Sequence, residues 1–136
     1  MAEGYEVFKV VRRKLDNQLV SCFTPDELQV YYKLGEKSFP KIGKLFCFKN
    51  LSSARSFIKE RCTISINTII LLCETNSVNF LKDIKNIPVG NSRTEWADNY
   101  VYFWKSPQIW LESHLGDSIP KGTVFCDYVI PLEEVR

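Results

Sequence analysis

At 136 residues the chain has the length of one ordinary domain, and its 45% hydrophobic and 25% charged residues exclude a disordered, collagen-like or coiled-coil protein. The formal net charge of +2 is too small to indicate nucleic-acid binding from the total alone. The charge is uneven, since residues 1–61 carry 12 Lys and Arg against 7 Asp and Glu, whereas residues 62–136 carry 6 against 9. We predict a single globular domain over residues 1–136.

The chain begins with a predicted β-hairpin. Tyr5–Arg13 is rich in Val, Phe and Tyr, and Gln18–Phe23 is a second β-rich run. Asp16 and Asn17 lie between them, and Asn17 can adopt the left-handed backbone that such a turn often needs.

A short helical turn, a strand and a loop are predicted next. Residues 24–27 read Thr-Pro-Asp-Glu, which is a capping-box pattern with proline at the first helical position. Residues 28–34 alternate apolar side chains on one face and predict a strand. A loop with two glycines and several lysines is expected at residues 35–44, before a strand at residues 45–49.

The main helix is predicted at residues 51–62, where apolar side chains recur at helical spacing. Asn50 is a suitable N-cap for it. Residues 63–74 are strongly β-branched with little polar alternation toward their end, which is typical of a strand covered on both faces. We therefore expect this strand to be central in the sheet.

The remainder is less periodic. Residues 77–85 are compatible with a short helix, residues 86–93 with a loop, and residues 96–110 are crowded with aromatic side chains. A last strand is predicted at residues 123–130, with Pro131 at its end. This order of elements predicts an α+β single domain, with a mostly antiparallel or mixed β-sheet and one main helix packed on it.

Five cysteines are present, and none lies in a C-x-x-C pair, so the spacing of zinc ribbons and thioredoxins is absent. We expect most of them to be free, buried thiols in a reducing compartment, and we predict no metal and no cofactor. The N-terminal residues do not form a secretory signal, and the apolar run Thr68–Cys73 is far shorter than the roughly 20 residues of a membrane span. The expected location is cytoplasmic, or the host cytosol for a viral protein.

Four stretches carry a resemblance to a known group: VFKVVRRK, YYKLGEKSFPKIGKLFCF, LSSARSF and PKGTVFCDYVIPLEEV. In these the chain resembles small uncharacterised proteins encoded by bacteriophages, large DNA viruses and some microbes. The resemblance covers roughly the first 60 and the last 16 residues. It implies a compact accessory protein and transfers no catalytic residue.

The lysine loop is the first candidate site. A Walker loop requires G-x-x-x-x-G-K-[ST], but Leu45 follows Lys44 and Ser38 stands where the first glycine belongs. Lys37, Lys41 and Lys44 nevertheless form a local positive cluster that is able to bind an anion. The alternative is a solvated connection between strands.

His114 and the aromatic segment 96–110 are the other candidates. His114, the only histidine, has carboxylates nearby and the pKa range of a general base, but the sequence names no nucleophile or substrate anchor for it. Trp104 and Trp110 belong to a group of aromatic residues that either stack on a ligand or partner or pack in the core.

Two classes of function follow. The first is a small non-enzymatic binding or accessory protein, which holds a protein or another ligand through the aromatic segment 96–110 and the basic loop 33–44. The alternative is a small enzyme or binder acting on a nucleotide or other phosphorylated ligand, with the lysines as anion anchors and His114 as acid or base. Plain nucleic-acid binding is a third possibility, and no membrane partner is expected.

Overall fold

The computed structural model describes residues 4–21, 28–61, 67–76, 78–79, 86–87, 104, 117–118 and 122–135. Within these residues the strands are β1 (Tyr5–Arg13), β2 (Leu19–Ser21), β3 (Tyr31–Tyr32), β4 (Leu45–Phe48), β5 (Thr68–Thr75), β6 (Val78–Asn79), β7 (Asn86–Ile87), β8 (Asp117–Ser118), β9 (Thr123–Cys126) and β10 (Ile130–Val135). The helix is α1 (Leu51–Arg61). Eight strands form one sheet with antiparallel pairing, and β7 pairs with β8. The predicted α+β class, with a single domain, is confirmed.

The predicted hairpin joins β1 to β2. Asn17 has a φ of 71°, in the left-handed region that asparagine tolerates better than most residues. The Asp16 carboxylate accepts a hydrogen bond from the Gln18 N–H at 3.1 Å, which holds the turn. β2 is described over Leu19–Ser21, and residues 22–23 of the predicted run, like the predicted helical turn at residues 24–27, lie outside the described residues.

β1 organises the sheet because it has three neighbours. One of its edges pairs with β5 from Tyr5 to Arg12. Its other edge pairs with β2 at the C-terminal end and with β4 at Phe8. The sheet therefore divides into two branches along this edge. β5 lies between β1 and β10, in the interior position that the sequence predicts.

Backbone hydrogen bonds close β1, β2, β3, β10 and β5 into a ring. The Gly35 N–H donates to the Pro131 carbonyl at 2.7 Å, and Ser38 and Val129 exchange two backbone hydrogen bonds of 2.8 and 3.1 Å. The Ser38 hydroxyl donates to the Tyr31 carbonyl at 3.1 Å, which links this segment to β3. Residues 35–38, predicted as plain loop, thus connect two sides of the sheet.

Two apolar clusters lie on the two faces of the sheet. One face carries buried residues from six strands, including β4 and β9 beside the ring, and from the connecting segments: Val7, Val11, Leu19, Val30, Tyr32, Leu45, Cys47, Leu71, Cys73, Val124, Cys126 and Val129. The other cluster lies beneath α1 and contains Val10, Phe48, Ala54, Phe57 and Ile70. Alternation along β1 explains this division, because neighbouring residues of a strand face opposite sides.

The prediction of one strand over residues 123–130 that ends at Pro131 is wrong, because β9 ends at Cys126 and β10 begins at Ile130. β10 runs through Pro131 to Val135, and its register with β5 shifts between Pro131 and Glu133. Proline is tolerated at such a bulge because the position does not need its N–H for the ladder. The Pro131 carbonyl remains available and accepts the hydrogen bond from Gly35.

α1 follows its predicted bounds closely. The Asn50 side chain caps it, since its Oδ1 accepts a hydrogen bond from the Ser53 N–H at 2.8 Å. Ala54 and Phe57 are buried against the sheet, and the Phe57 ring lies 5.2 Å from that of Phe48.

Substituting Asn50 with alanine removes this cap, and we expect a loss of about 1 kcal/mol in the free energy of unfolding. Urea unfolding measures the effect. Ser56, exposed on the same helix, is the control, and its replacement by alanine should be neutral or slightly stabilising. Equal behaviour of the two variants would contradict the capping role.

The segment after β5 differs from the sequence prediction wherever it is described. Val78 and Asn79, expected in a short helix, pair with β9 as a strand, and Asn86 and Ile87, expected in a loop, pair with β8. A two-residue strand is too short to show a periodic pattern, and it forms because a partner strand lies beside it. In the described ranges no helix is long and apolar enough to cross a membrane.

Candidate functional site

A cleft of about 540 Å³ opens where β1, the hairpin turn, β3 and β10 meet. This volume is within the range of about 300–1,000 Å³ that small-ligand sites occupy. Its lining includes Arg13, Leu19, Tyr32, Lys33, Lys37 and Glu134. The cleft therefore joins the end of the ring of strands to the N-terminal part of the lysine loop.

Strand alternation places Arg13 in the cleft. Val7 and Val11 of β1 face the interior of the ring, and Arg13 is the next residue of the same parity, at the strand's end. β3 behaves in the same way, because Tyr32 is buried inward while Tyr31 is half exposed outward. The cleft consequently has an arginine and a tyrosine on its inner side.

Arg13 has an incomplete set of hydrogen bonds. Its Nη2 donates to the Glu134 carboxylate at 2.5 Å across the cleft. Its Nε is buried and has no hydrogen-bond partner among the described residues. A buried donor without an acceptor costs about 1–3 kcal/mol of folding free energy. A ligand that places an acceptor here would recover part of that cost and bind more tightly.

The cations of the lining exceed its carboxylates. Lys33 forms an exposed ion pair of 3.5 Å with Glu36, a type of pair that contributes little. Lys37 has its Nζ 4.8 Å from the centre of the Tyr128 ring, and no described carboxylate lies within ion-pair distance of it. A cation on a ring face keeps most of its N–H donors free for an anion.

The three predicted lysines differ in their contacts. Lys37 lines the cleft, whereas Lys41 is exposed outside its lining. Lys44 forms an ion pair with Asp127. Lys37 and Lys44 contact the adjacent residues Tyr128 and Asp127, and of the three lysines Lys37 lines the cleft.

Trp104 is the described member of the aromatic segment, and it packs against the sheet. Its ring centre lies 5.7 Å from that of Phe46 and 5.8 Å from that of Phe125. It also covers the backbone of Gly43, where an added Cβ would lie 2.0 Å from the indole Cδ2. These contacts favour core packing for Trp104, while Trp110 and His114 lie outside the described residues.

A buried lysine inside the ring was missed by the sequence analysis. Lys9 is only 7% exposed, and its Nζ donates to the Phe46 carbonyl at 2.6 Å. The same Nζ is 6.0 Å from the centre of the Tyr32 ring, which lines the cleft above it. The sequence did indicate this position, because Lys9 lies between Val7 and Val11 on the same face of the strand.

Three thiols feel the charge of this ammonium group. Cys47, Cys73 and Cys126 are free and buried, as expected for small apolar residues. Burial raises the pKa of Cys73. The neighbouring Cys126 thiol lowers the pKa of Cys47, burial opposes this, and the Lys9 charge lowers the Cys47 pKa further. Cys47 and burial both raise the pKa of Cys126.

The described residues contain no group of three His, Cys, Asp or Glu side chains arranged to hold a metal ion. Comparisons with protein-family models, with curated proteins and with solved structures found no match. The resemblance to small viral and microbial proteins therefore stays a prediction.

Proposed function

We propose that the protein is a small non-enzymatic binding protein, and that the cleft at Arg13 holds an anionic group of its ligand. The observation that carries this proposal is the buried Arg13 Nε, which has no acceptor among the described residues. A carboxylate or phosphate oxygen at this position would complete the hydrogen bonds of the guanidinium, and such charge-assisted bonds contribute about 1.5–3 kcal/mol.

The surroundings of Arg13 support the same ligand chemistry. Lys33 and Lys37 bring positive charge to the rim, where an anion gains from both. Tyr31 and Leu34 are 49% and 48% exposed beside these lysines and offer apolar contact to the rest of a ligand. The basic loop proposed from the sequence thus contributes through its first half.

Several polar groups of the cleft already form hydrogen bonds or ion pairs within the protein, which fixes them in place around a ligand. The Ser38 hydroxyl donates to the Tyr31 carbonyl, and the Glu36 and Glu134 carboxylates are each paired with a cation. The alternative, a small enzyme or binder for a phosphorylated ligand, uses the same cations with His114 as acid or base. Binding is favoured because it needs only the groups that line the cleft.

Anion titrations of matched variants test the proposal. Inorganic pyrophosphate, citrate and ATP are titrated calorimetrically into the protein and into R13Q, K37Q and K41Q. We expect at least one anion to bind, with a loss of about tenfold in affinity, ~1.4 kcal/mol, for R13Q and for K37Q. K41Q is the control and should bind within about twofold of the parent, because Lys41 lies outside the lining.

Each outcome decides a separate point. Absence of binding by all three anions would show that the proposed function is wrong. Equal losses of affinity in K37Q and K41Q would indicate that the anion is attracted by the charge of the whole loop and not bound at a defined site. ATP turnover that depends on His114 would favour the enzymatic alternative.

A further inference from the structure

A carboxylate of the protein lies beside the arginine that the proposed site uses for its anion. Glu134 Oε1 accepts the hydrogen bond of Arg13 Nη2 at 2.5 Å, and both side chains line the cleft. The side chain of Arg13 is 36% exposed and that of Glu134 is 42% exposed, so a ligand in the cleft can reach both. An anion that binds the Arg13 guanidinium is therefore held next to a second negative charge.

This arrangement restricts the chemistry of the ligand. The N–H groups of a guanidinium form a compact planar fork, so the oxygen atoms that they bind are neighbours. Two anionic oxygens this close repel each other unless a proton lies between them, as in pairs of carboxyl groups that share one site. Arg13 is the described donor to Glu134, whose carboxylate can accept further hydrogen bonds. The ligand group must consequently accept a hydrogen bond from Arg13 and donate one to Glu134.

A phosphate monoester with one proton meets both requirements. Its ionised oxygens accept hydrogen bonds from a guanidinium, and its P–OH group donates one to a carboxylate. A sulfate ester and a phosphodiester carry the same single negative charge but have no proton to donate. The second pKa of a phosphate monoester is about 6, so the form with one proton is present near neutral pH.

From this geometry we propose that the cleft binds a small molecule through a phosphate monoester group that carries one proton, and that Glu134 selects this group by accepting a hydrogen bond from its P–OH. This proposal rests on the proposed function, because it names the anion that the cleft holds. The cleft volume of about 540 Å³ fits a small molecule, and the half-exposed Tyr31 and Leu34 offer apolar contact to its organic part.

Two esters of equal charge and similar shape test the selection. Phenyl phosphate and phenyl sulfate are titrated calorimetrically into the protein at about pH 5, where both are mainly monoanions and only the phosphate has a proton to donate. We expect phenyl phosphate to bind at least about tenfold more tightly, because a hydrogen bond to a charged group contributes this factor or more.

Two variants of the last strand assign this preference to Glu134. In E134Q an amide replaces the carboxylate, and its N–H groups can donate to a sulfate oxygen, so the two esters should bind within about twofold of each other. E133Q is the matched control, because Glu133 is exposed and lies outside the cleft lining. Its neighbouring position on the strand faces the opposite side, so it should keep the preference of the parent.

The pH dependence of binding is a second measurement, and it needs no variant. Between about pH 5 and 8 phenyl phosphate loses its proton, so its affinity should fall by about tenfold, whereas that of phenyl sulfate should stay within about twofold. Phenyl sulfate reports any change in the titratable and charged groups around the site. These belong to Arg13, Tyr31, Tyr32, Lys33, Glu36, Lys37 and Glu134, with Lys9 and Lys14 against the two tyrosine rings.

Equal affinities of the two esters for the parent, or a preference that persists in E134Q, would overturn this proposal and leave the proposed function standing. Binding of neither ester would also overturn it, and the proposed function fails with it only when pyrophosphate, citrate and ATP do not bind either. A phosphotyrosine peptide that binds more than about tenfold tighter than phenyl phosphate would overturn the assignment to a small molecule.

Discussion

Replacing Phe125 with alanine is expected to lower the free energy of unfolding by about 3–5 kcal/mol. Phe125 is 1% exposed on β9. Its ring makes edge-on contacts with Phe46 and Trp104, with centres 5.0 and 5.8 Å apart. The substitution removes buried apolar surface and leaves a cavity that the neighbouring rings fill only partly. The lost burial and the cavity both lower the free energy of unfolding.

Urea unfolding followed by circular dichroism measures this loss. Phe39→Ala is the matched control, because Phe39 is 59% exposed and its one described ring contact is with Tyr128. We expect it to cost less than about 1 kcal/mol. A similarly small cost for Phe125→Ala would show that Trp104 and Phe46 do not enclose it.

The second large effect is expected at Gly43. Its φ is +67°, a region that costs a residue with a Cβ about 1–2 kcal/mol. In addition, the new Cβ would lie 2.0 Å from the Trp104 ring, and overpacking of this kind costs about 1–3 kcal/mol. Gly43→Ala should therefore destabilise the protein by about 2–5 kcal/mol.

Gly35→Ala separates the two causes. Gly35 has a similar φ of +83°, but nothing lies within 4 Å of the position of its Cβ. Its substitution should cost only the backbone strain, about 1–2 kcal/mol. Equal losses for the two glycines, measured by the same urea titration, would contradict the placement of Trp104 over the loop.

Elements whose signal is local were predictable from the sequence. β1 and α1 were found nearly at their observed bounds, because the Val, Phe and Tyr content of β1 and the period-3.6 pattern of α1 are properties of neighbouring residues. The hairpin turn at Asn17 was predictable for the same reason, since the residue itself tolerates the backbone that the turn requires.

Features that depend on distant partners were not predictable. Arg13 and Glu134 are 121 positions apart, and nothing in either segment indicates the other. β6 is a strand only because β9 lies beside it. Lys37 was among the predicted site residues, but the strands that line the cleft with it could not be predicted. The sequence shows which side chains can bind an anion, but only the fold shows which residues lie next to them.

The hydrogen bonds between Ser38 and Val129 also have a consequence for biosynthesis. They join residues about 90 positions apart, and long-range pairings of this kind slow folding because a large loop must close first. On the ribosome, Arg13 and Lys9 are made long before β10, so the nascent chain must keep these charges hydrated until β10 emerges. Assembly of the cleft at Arg13 is thus a late event in folding.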